Sequence, residues 1–269
     1  MCEVLQVSRS GYYAWVDRPP SEREQRHQAL TEQIRQVQAE SLGTYGSPRV
    51  HAELFERKVD VCVNTVAKLM KLARLRSVMH RRFVVCTTDS NHDHPVAPNL
   101  LDRKFQASLP DQKWCCDITY IPTREGFLYL AAVMDLCSRK IVGWSMAEHL
   151  RTTLCTDALA MALRSRRPGG GLLHHSDRGV QYASVDYQRL LQTHGVRVSM
   201  SRVGDCYDNA AMESFWGTLK TELVHHRDYP TKDEARGSIF QYIECWYNRR
   251  RRHSAIGYKS PEQFEASLN

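Results

Sequence analysis

Three carboxylates between residues 114 and 220 constrain this chain more than any other feature. Asp117 lies inside Trp114-Cys115-Cys116-Asp117-Ile118-Thr119-Tyr120, an apolar, aromatic and β-branched run that predicts a strand over 114–121. A lone Asp in such a strand is expensive to bury unless something pairs with it. Asp177 follows a second short strand, Gly171-Leu172-Leu173-His174-His175, where α/β sheets present loop-borne reactive groups. Glu213 falls in a helix whose apolar stripe is Met212, Phe215, Trp216, Leu219 and Leu223. It lies at the flank of that stripe, as does Lys220 seven positions on, and from there it projects toward the other two acids.

Carboxylates gathered together repel, and their pKa values rise unless cations neutralise them. Magnesium or manganese suits an all-oxygen site. Two such ions about 4 Å apart activate an attacking oxygen and stabilise a leaving one in phosphoryl transfer. Each acid alone reads equally well as a cap or as half of a surface ion pair. Together they predict a metal site.

The surrounding pattern is α/β. Strands are expected at 114–121, 127–135, 139–146, 171–175 and 196–198, with hairpin turns at 122–126 and 135–138. Helices are expected at 153–165 and 184–193. Three antiparallel strands, a crossover helix and two further strands make a five-stranded mixed sheet with flanking helices. A tail helix over 231–247 presents Ile239, Phe240, Ile243 and Trp246 as its packed face. Arg249, Arg250, Arg251 and Arg252 follow, and four consecutive arginines predict phosphate contact.

Upstream, a short cap-and-turn segment with three aromatics, Tyr12, Tyr13 and Trp15, ends at Pro19-Pro20. An amphipathic helix over 21–40 places Leu30, Ile34 and Val37 inward. Ser47-Pro48 starts a helix over 48–58. Asn64 caps a third, over 65–75, with Val66, Leu69, Met70 and Ala73 inward and Lys68, Lys71, Arg74 and Arg76 as its basic residues. The arrangement looks like a helix-turn-helix module, and a plain helical bundle with a solvated face fits the same pattern. Residues 77–110 read as a turn-rich connector; His92 and His94 there have no partner cysteines nearby to make a zinc site.

A chain of 269 residues with 42% hydrophobic content can bury a core and form more than one domain. Its net charge of +7 favours a polyanionic partner. Nine scattered cysteines without a CxxC pair read as a reduced, cytoplasmic protein lacking structural disulfides. The first residues lack the pattern of a signal peptide, and no apolar run approaches membrane-spanning length.

Several motifs carry a resemblance. They are Trp114…Asp117-Ile118-Thr119-Tyr120, His175-Ser176-Asp177-Arg178-Gly179…Gln181-Tyr182, Cys206-Tyr207-Asp208-Asn209-Ala210…Glu213-Ser214-Phe215, Leu219-Lys220…Glu222, and Tyr247-Asn248…Arg251-Arg252-His253-Ser254…Gly257-Tyr258…Ser260-Pro261. Over roughly residues 9–267 the chain resembles the second-reading-frame product of bacterial insertion-sequence transposases of the family numbered three, relatives of retroviral integrases. The resemblance implies an RNase H-like core with Asp117, Asp177 and Glu213 as catalytic, metal-holding triad. It implies two magnesium or manganese ions per active site in the reactive complex, and metal-dependent 3′-end cleavage and strand transfer. Double-stranded DNA is then the partner, as terminal inverted repeats and target, with a homo-multimer holding both ends. An upstream-frame helix-turn-helix protein joins as partner or frameshift fusion.

The expected division is an N-terminal segment 1–20, a helix-turn-helix-like domain 21–76, a linker 77–110, the catalytic core 111–230, and a C-terminal helix and basic tail 231–269. Around the triad, Lys220 is the best candidate for a phosphate contact. Arg178 and Ser176 orient substrate or the Asp177 loop, His175 holds the strand end, Gly179 permits the turn, and Trp114 supports the core. Tyr182 either stacks on a base or packs. Residues 199–209 form a loop suited to DNA-end contact, and Asp208 or Asn209 caps the Glu213 helix.

The chain departs from the proteins it resembles at Cys116, where Thr is common, and at Asp205, where Asn is common; neither removes an expected ligand. The two-His, two-Cys module of retroviral integrases is missing upstream of the triad. Two other classes fit the same residues: a metal-dependent nuclease that never joins, and a non-catalytic DNA-binding regulator or inactive remnant.

Overall fold

The computed structural model describes residues 2–78, 95–202 and 206–268. The predicted histidine pair His92 and His94, with the rest of residues 79–94 of the connector, and Asp205 lie outside the described residues. The chain forms two compact units, Met1–Val78 and Met79–Asn269.

The first unit is all helical. The opening aromatic segment is a helix, α1 (Arg9–Val16), where a turn was expected; the Ser8 side chain accepts from the Gly11 amide and starts it. α2 (Glu22–Glu40) begins with a capping box between Ser21 and Glu24, two orphan amides satisfied reciprocally. α3 (Ser47–Glu56) and α4 (Val63–Leu72) follow. Leu30, Ile34 and Val37 of α2 are buried, as are Val50 and Leu54 of α3 and Val66, Leu69 and Met70 of α4. The third helix starts earlier than expected, with Cys62 and not Asn64 at its N-cap, and stops where Arg74 turns left-handed at φ 55°. Lys68, Lys71, Arg74 and Arg76 are all exposed.

The second unit is built on one sheet in the order β3-β2-β1-β4-β5. Its strands are β1 (Lys113–Thr123), β2 (Gly126–Asp135), β3 (Ile141–Ala147), β4 (Leu173–Ser176) and β5 (Arg197–Met200). β1, β2 and β3 are antiparallel, and β4 and β5 join β1 in parallel. The first hairpin is tighter than the expected five-residue turn: Thr123 pairs with Gly126, whose φ of 101° suits a residue without Cβ. α5 (Thr152–Arg166) crosses from β3 to β4, and the short α6 (Val180–Ala183) and α7 (Val185–Thr193) lead to β5. Leu154, Ala158, Leu159 and Ala162 of α5 pack with Trp114 and Cys116 of β1 and with Tyr187 and Leu191 of α7 in one buried cluster. Gly143 is needed there, because a Cβ would come within 2.3 Å of the Ala158 carbonyl oxygen.

Strand alternation places Cys115, Asp117 and Thr119 on the opposite face of β1 from Trp114 and Cys116. α8 (Ala210–Glu222) packs against β1, and the Trp216 indole reaches Asp117. α9 (Lys232–Phe240) continues into a π-helix, Gln241–Tyr247, and α10 (Pro261–Ala266) closes the chain. Ile239, Ile243 and Trp246 are packed as expected, whereas Phe240 is 49% exposed. It sits beside the Ile239–Ile243 face, with its ring against that of Trp144. Asn248 covers the sheet edge like a strand residue: its side chain accepts from the Ile141 amide and donates to the Ile141 carbonyl. Residues 99–101 are tied to the core, Asn99 through Asp208 and the Leu100 and Leu101 amides through the Ser199 hydroxyl.

The candidate active site

The parallel register of β1 and β4 brings the first two acids level. Cys115 lies opposite His175, so two residues further along each chain Asp117 comes beside Asp177, on the same face. Both line one crevice, together with Thr119, Tyr120, Tyr129, Leu150, Gly179 and Gln181. Asp177 is steadied by the Gly179 amide, which donates to its Oδ1 at 2.9 Å. Gly179 serves by lacking a side chain and not by an unusual backbone: its φ is −58°, and a Cβ would sit 3.0 Å from that same oxygen.

Asp117 is only partly exposed, and Trp216 Nε1 donates to its Oδ2 at 2.9 Å. Burial first and the Asp177 charge second push its pKa up to about 8, against the Ile118 amide and the indole, which lower it. Glu213 adds to that upward push from α8. Its own side chain is exposed, with a pKa raised by partial burial, and it is not among the residues lining the crevice. Among the described residues, no group of three or more His, Cys, Asp or Glu is gathered closely enough to hold a metal ion. Lys220 is half-buried, with Nζ 4.7 Å from the centre of the Tyr120 ring. Burial lowers its pKa while the Asp117 charge works the other way.

The oxygen donors fit a hard divalent ion. Burial and then the neighbouring Asp177 carboxylate disfavour charge on Asp117, a cost that such an ion would offset.

The supporting residues are also in view. His175 bridges β4 to β5 through the Ser199 and Ser201 hydroxyls at 2.8 and 3.2 Å. The buried His174 meets Cys116 Sγ and the Tyr187 hydroxyl, each at 2.8 Å from Nε2. Ser176 is buried and donates to the Asp177 carbonyl, so it orients the loop; Arg178 Nε donates to the Ser201 carbonyl. Trp114 is fully buried, its indole donating to Asp111.

Four sequence expectations are corrected. Tyr182 is 2% exposed with its ring edge-on to Tyr187, so it packs and cannot stack on a base. Arg251 and Arg252 are 4% and 5% exposed. Arg251 donates to the Glu222 carboxylate through Nε and Nη2, and Arg252 Nη1 donates to the Tyr258 carbonyl, so their acceptors are internal. Arg249 and Arg250 remain exposed. Neither Asp208 nor Asn209 caps α8 with its side chain. Asp208 instead gathers Asn99, Arg103 and Arg202; burial raises its pKa, but the Arg202 bonds and charge win and hold it at about 2. The expected loop over 199–209 is shorter, since β5 runs to Met200 and a 3-10 turn begins at Cys206; residues 203–205 lie outside the described residues.

Sequence reasoning missed Trp216 as a partner of Asp117, having placed it in the apolar stripe. The available signal was chemical: a buried indole N–H needs an acceptor.

The geometry agrees with comparisons to known proteins. Two integrase core domain models match residues 107–206 and 194–261, and an HTH-like domain model matches 25–83. Over 264 residues the chain is 48% identical to the insertion element IS600 uncharacterized 31 kDa protein of Shigella sonnei, covering 98% of this chain and 97% of that one. It is 45% identical over 267 residues to transposase InsF for insertion sequence IS3A of Escherichia coli (strain K12), covering 98% and 92%. A chain of the simian T-cell lymphotropic virus intasome, solved by cryo-electron microscopy with PP2A regulatory subunit B56 gamma, aligns at TM-score 0.50 and 13% identity. That alignment covers 86% of this chain and 74% of the viral one, and the likeness is one of fold. With an RNase H-like integrase core, an N-terminal helix-turn-helix-like unit and full-length identity at this level, the chain belongs to the IS3 family of insertion-sequence transposases.

Proposed function

We propose that this chain cleaves DNA at the 3′ ends of an insertion sequence and joins the freed 3′-hydroxyl to target DNA, with Asp117, Asp177 and Glu213 as its acidic triad. One observation carries the reading: two aspartates level across β1 and β4 in one crevice, with Asp117 lifted to about 8 by burial and by its neighbour. Two magnesium or manganese ions are the complement that Asp117, Asp177 and Glu213 would hold, supplying Lewis acidity at the scissile phosphate. Asp117 would furnish oxygen ligands from β1, Asp177 from just past β4, and Glu213 from α8. The carboxylates act as ligands and not as nucleophiles, so no covalent enzyme–DNA species is required. Lys220, beside Asp117, offers its ammonium to a DNA phosphate next to the one that reacts. Arg178, Arg249 and Arg250 contact backbone phosphates, and the exposed Lys68 and Lys71 of α4, with Arg74 and Arg76 just beyond its end, bind duplex DNA in the helical unit.

The remaining partners belong to the same proposal. They are two terminal inverted repeats, a homo-multimer that holds them, and an upstream-frame helix-turn-helix protein, acting in the bacterial cytoplasm on chromosomal DNA. Among the described residues, no helix is long and apolar enough to cross a membrane.

The test is an assay of purified protein on labelled DNA carrying terminal repeats, with magnesium or manganese and the upstream protein, beside Asp177→Asn. Joined products that vanish in the variant are expected. Metal-dependent cutting without joining favours a hydrolytic nuclease, and binding without either product favours a regulator.

A further inference from the structure

Two side chains, one at the N-cap of α8 and one in its middle, have no part in the proposed chemistry. Asn209 stands at the N-cap of α8 and Trp216 seven residues on in its middle, with the fully buried Met212 between them in sequence. They are 7% and 6% exposed. Both donate to the same short stretch of β1. Asn209 Nδ2 reaches the Cys116 carbonyl at 3.3 Å, and Trp216 Nε1 reaches Asp117 Oδ2 at 2.9 Å. Glu213 lies between these two donors, three residues before Trp216.

The arrangement answers a geometrical problem. Asp117 is fixed by the sheet register, whereas Glu213 comes from a helix that apolar contacts alone would leave free to slide or roll. Hydrogen bonds are directional where apolar packing is not. One bond to the backbone before Asp117 and one to its carboxylate set both the register of α8 and the rotamer of Asp117. We infer that Asn209 and Trp216 are positioning residues that dock α8 onto β1, so that Asp117 and Glu213 are presented to the metal ions as one fixed pair. The inference rests on the reading of these two acids as metal ligands. Groups that orient metal ligands change metal affinity or activity by about 10–100-fold when removed.

The experiment uses the full chain and Mn2+ as the probe. Binding is followed by the electron paramagnetic resonance signal of the free ion, and strand transfer by kcat and KM for DNA ends. The variants are Trp216→Phe, Asn209→Asp, and the isosteric replacement of Trp216 by benzothienylalanine, which keeps the bicyclic shape and loses the N–H. Mn2+ affinity and kcat are expected to fall about 10-fold in each, with KM for DNA within about twofold of wild type. The benzothienylalanine form keeps the packed shape of Trp216 and melts cooperatively like wild type, which separates positioning from misfolding. Wild-type Mn2+ affinity and kcat in that form overturn the inference.

A separate readout guards the reading beneath it. If the unaltered chain takes up no Mn2+, the ligand reading fails, and docking is decided by the Trp216 indole N–H resonance. A resonance protected from exchange that shifts in Asp117→Asn upholds docking; one that is unprotected and indifferent to that change overturns it.

Discussion

The C-terminal end and the middle of α8 meet carboxylates that the protein treats in opposite ways. At its C-terminal end Glu222 is nearly buried and fully answered: Arg251 Nε and Nη2 donate at 2.7–3.0 Å and the Tyr242 hydroxyl at 2.9 Å. At its middle, Asp117 receives one neutral donor from the helix, the Trp216 indole, while Asp177 presses a second negative charge on it. The pairing at Glu222 holds two segments of chain together. The repulsion at Asp117 costs stability and has a use only when something from outside relieves it. What assigns a role to each carboxylate is its partner, and residue type alone does not.

The largest effect that would break this contrast comes from Asp117→Asn. Activity is expected to fall about 1,000-fold or more, as for other groups that act as a unit in an active site. Stability should move the other way in metal-free buffer. The folded pKa of Asp117, about 8, lies above the unfolded value near 3.9. Its stabilising contribution is therefore complete below about pH 4 and is lost as pH rises through 8. Asparagine carries no such loss, so the variant should melt above wild type at pH 8 and draw level at pH 4. A variant less stable than wild type at pH 8 would mean that Asp117 is answered internally, as Glu222 is.

The second effect concerns the answered end. Arg251→Ala leaves Glu222 buried and unpaired, which costs about 3–5 kcal/mol by urea denaturation. Replacing both partners, Arg251→Met with Glu222→Leu, should restore most of it, because the pair itself contributes little net stability over apolar packing. If Arg251→Ala instead unfolds like wild type and loses only DNA affinity, the arginine serves phosphate and the contrast fails.

Much of this architecture was legible because local rules and global fold agree. The apolar spacing of Leu30, Ile34 and Val37 predicts α2, and the apolar, aromatic and β-branched run from Trp114 predicts β1. The three acids stood out because a strand of that composition offers Asp117 no partner of its own. The failures share one cause: long-range partners are not written near the residues they serve. Four adjacent arginines look alike in sequence, yet Arg251 is claimed by Glu222, twenty-nine residues earlier, and Arg252 by the Tyr258 carbonyl. Tyr182 looks available for a base until α7 brings Tyr187 against it. Asn209 stands at the N-cap position of α8, but its side chain is turned to β1, where Nδ2 donates to the Cys116 carbonyl.

A third treatment of buried charge lies behind the crevice, and it predicts a smaller effect. His174 and His175 are buried, and burial lowers their pKa values to about 3 and about 4. Both therefore sit neutral in the fold and bind protons near pH 6.5 once unfolded. Stability is complete above pH 6.5 and falls as pH drops toward the folded values, a slope opposite in sign to that of Asp117. Between pH 7 and pH 5 His174 alone should account for about 2 kcal/mol. His174→Gln should flatten the curve of melting temperature against pH over that interval. An unchanged slope would place the protonation elsewhere.

The smallest expected effect tests whether the arginine run divides as its burial implies. Arg249 lies 3.9 Å from Glu262 with both side chains about half exposed or more, an ion pair of little energetic weight. Arg249→Ala and Arg250→Ala should each leave the melting temperature within about a degree, since surface substitutions of this kind stay near ±0.5 kcal/mol. Each should weaken DNA binding only a few-fold and reduce the slope of log affinity against log salt by about one, the mark of a lost phosphate contact. Arg252→Ala should do the reverse, lowering stability because its guanidinium is buried against the Tyr258 carbonyl, without altering the salt slope of the protein that remains folded. If Arg249 and Arg250 leave the salt slope untouched, the exposed half of the run is solvated charge, and the DNA contacts of this unit lie instead with Lys220 and Arg178, beside the two aspartates.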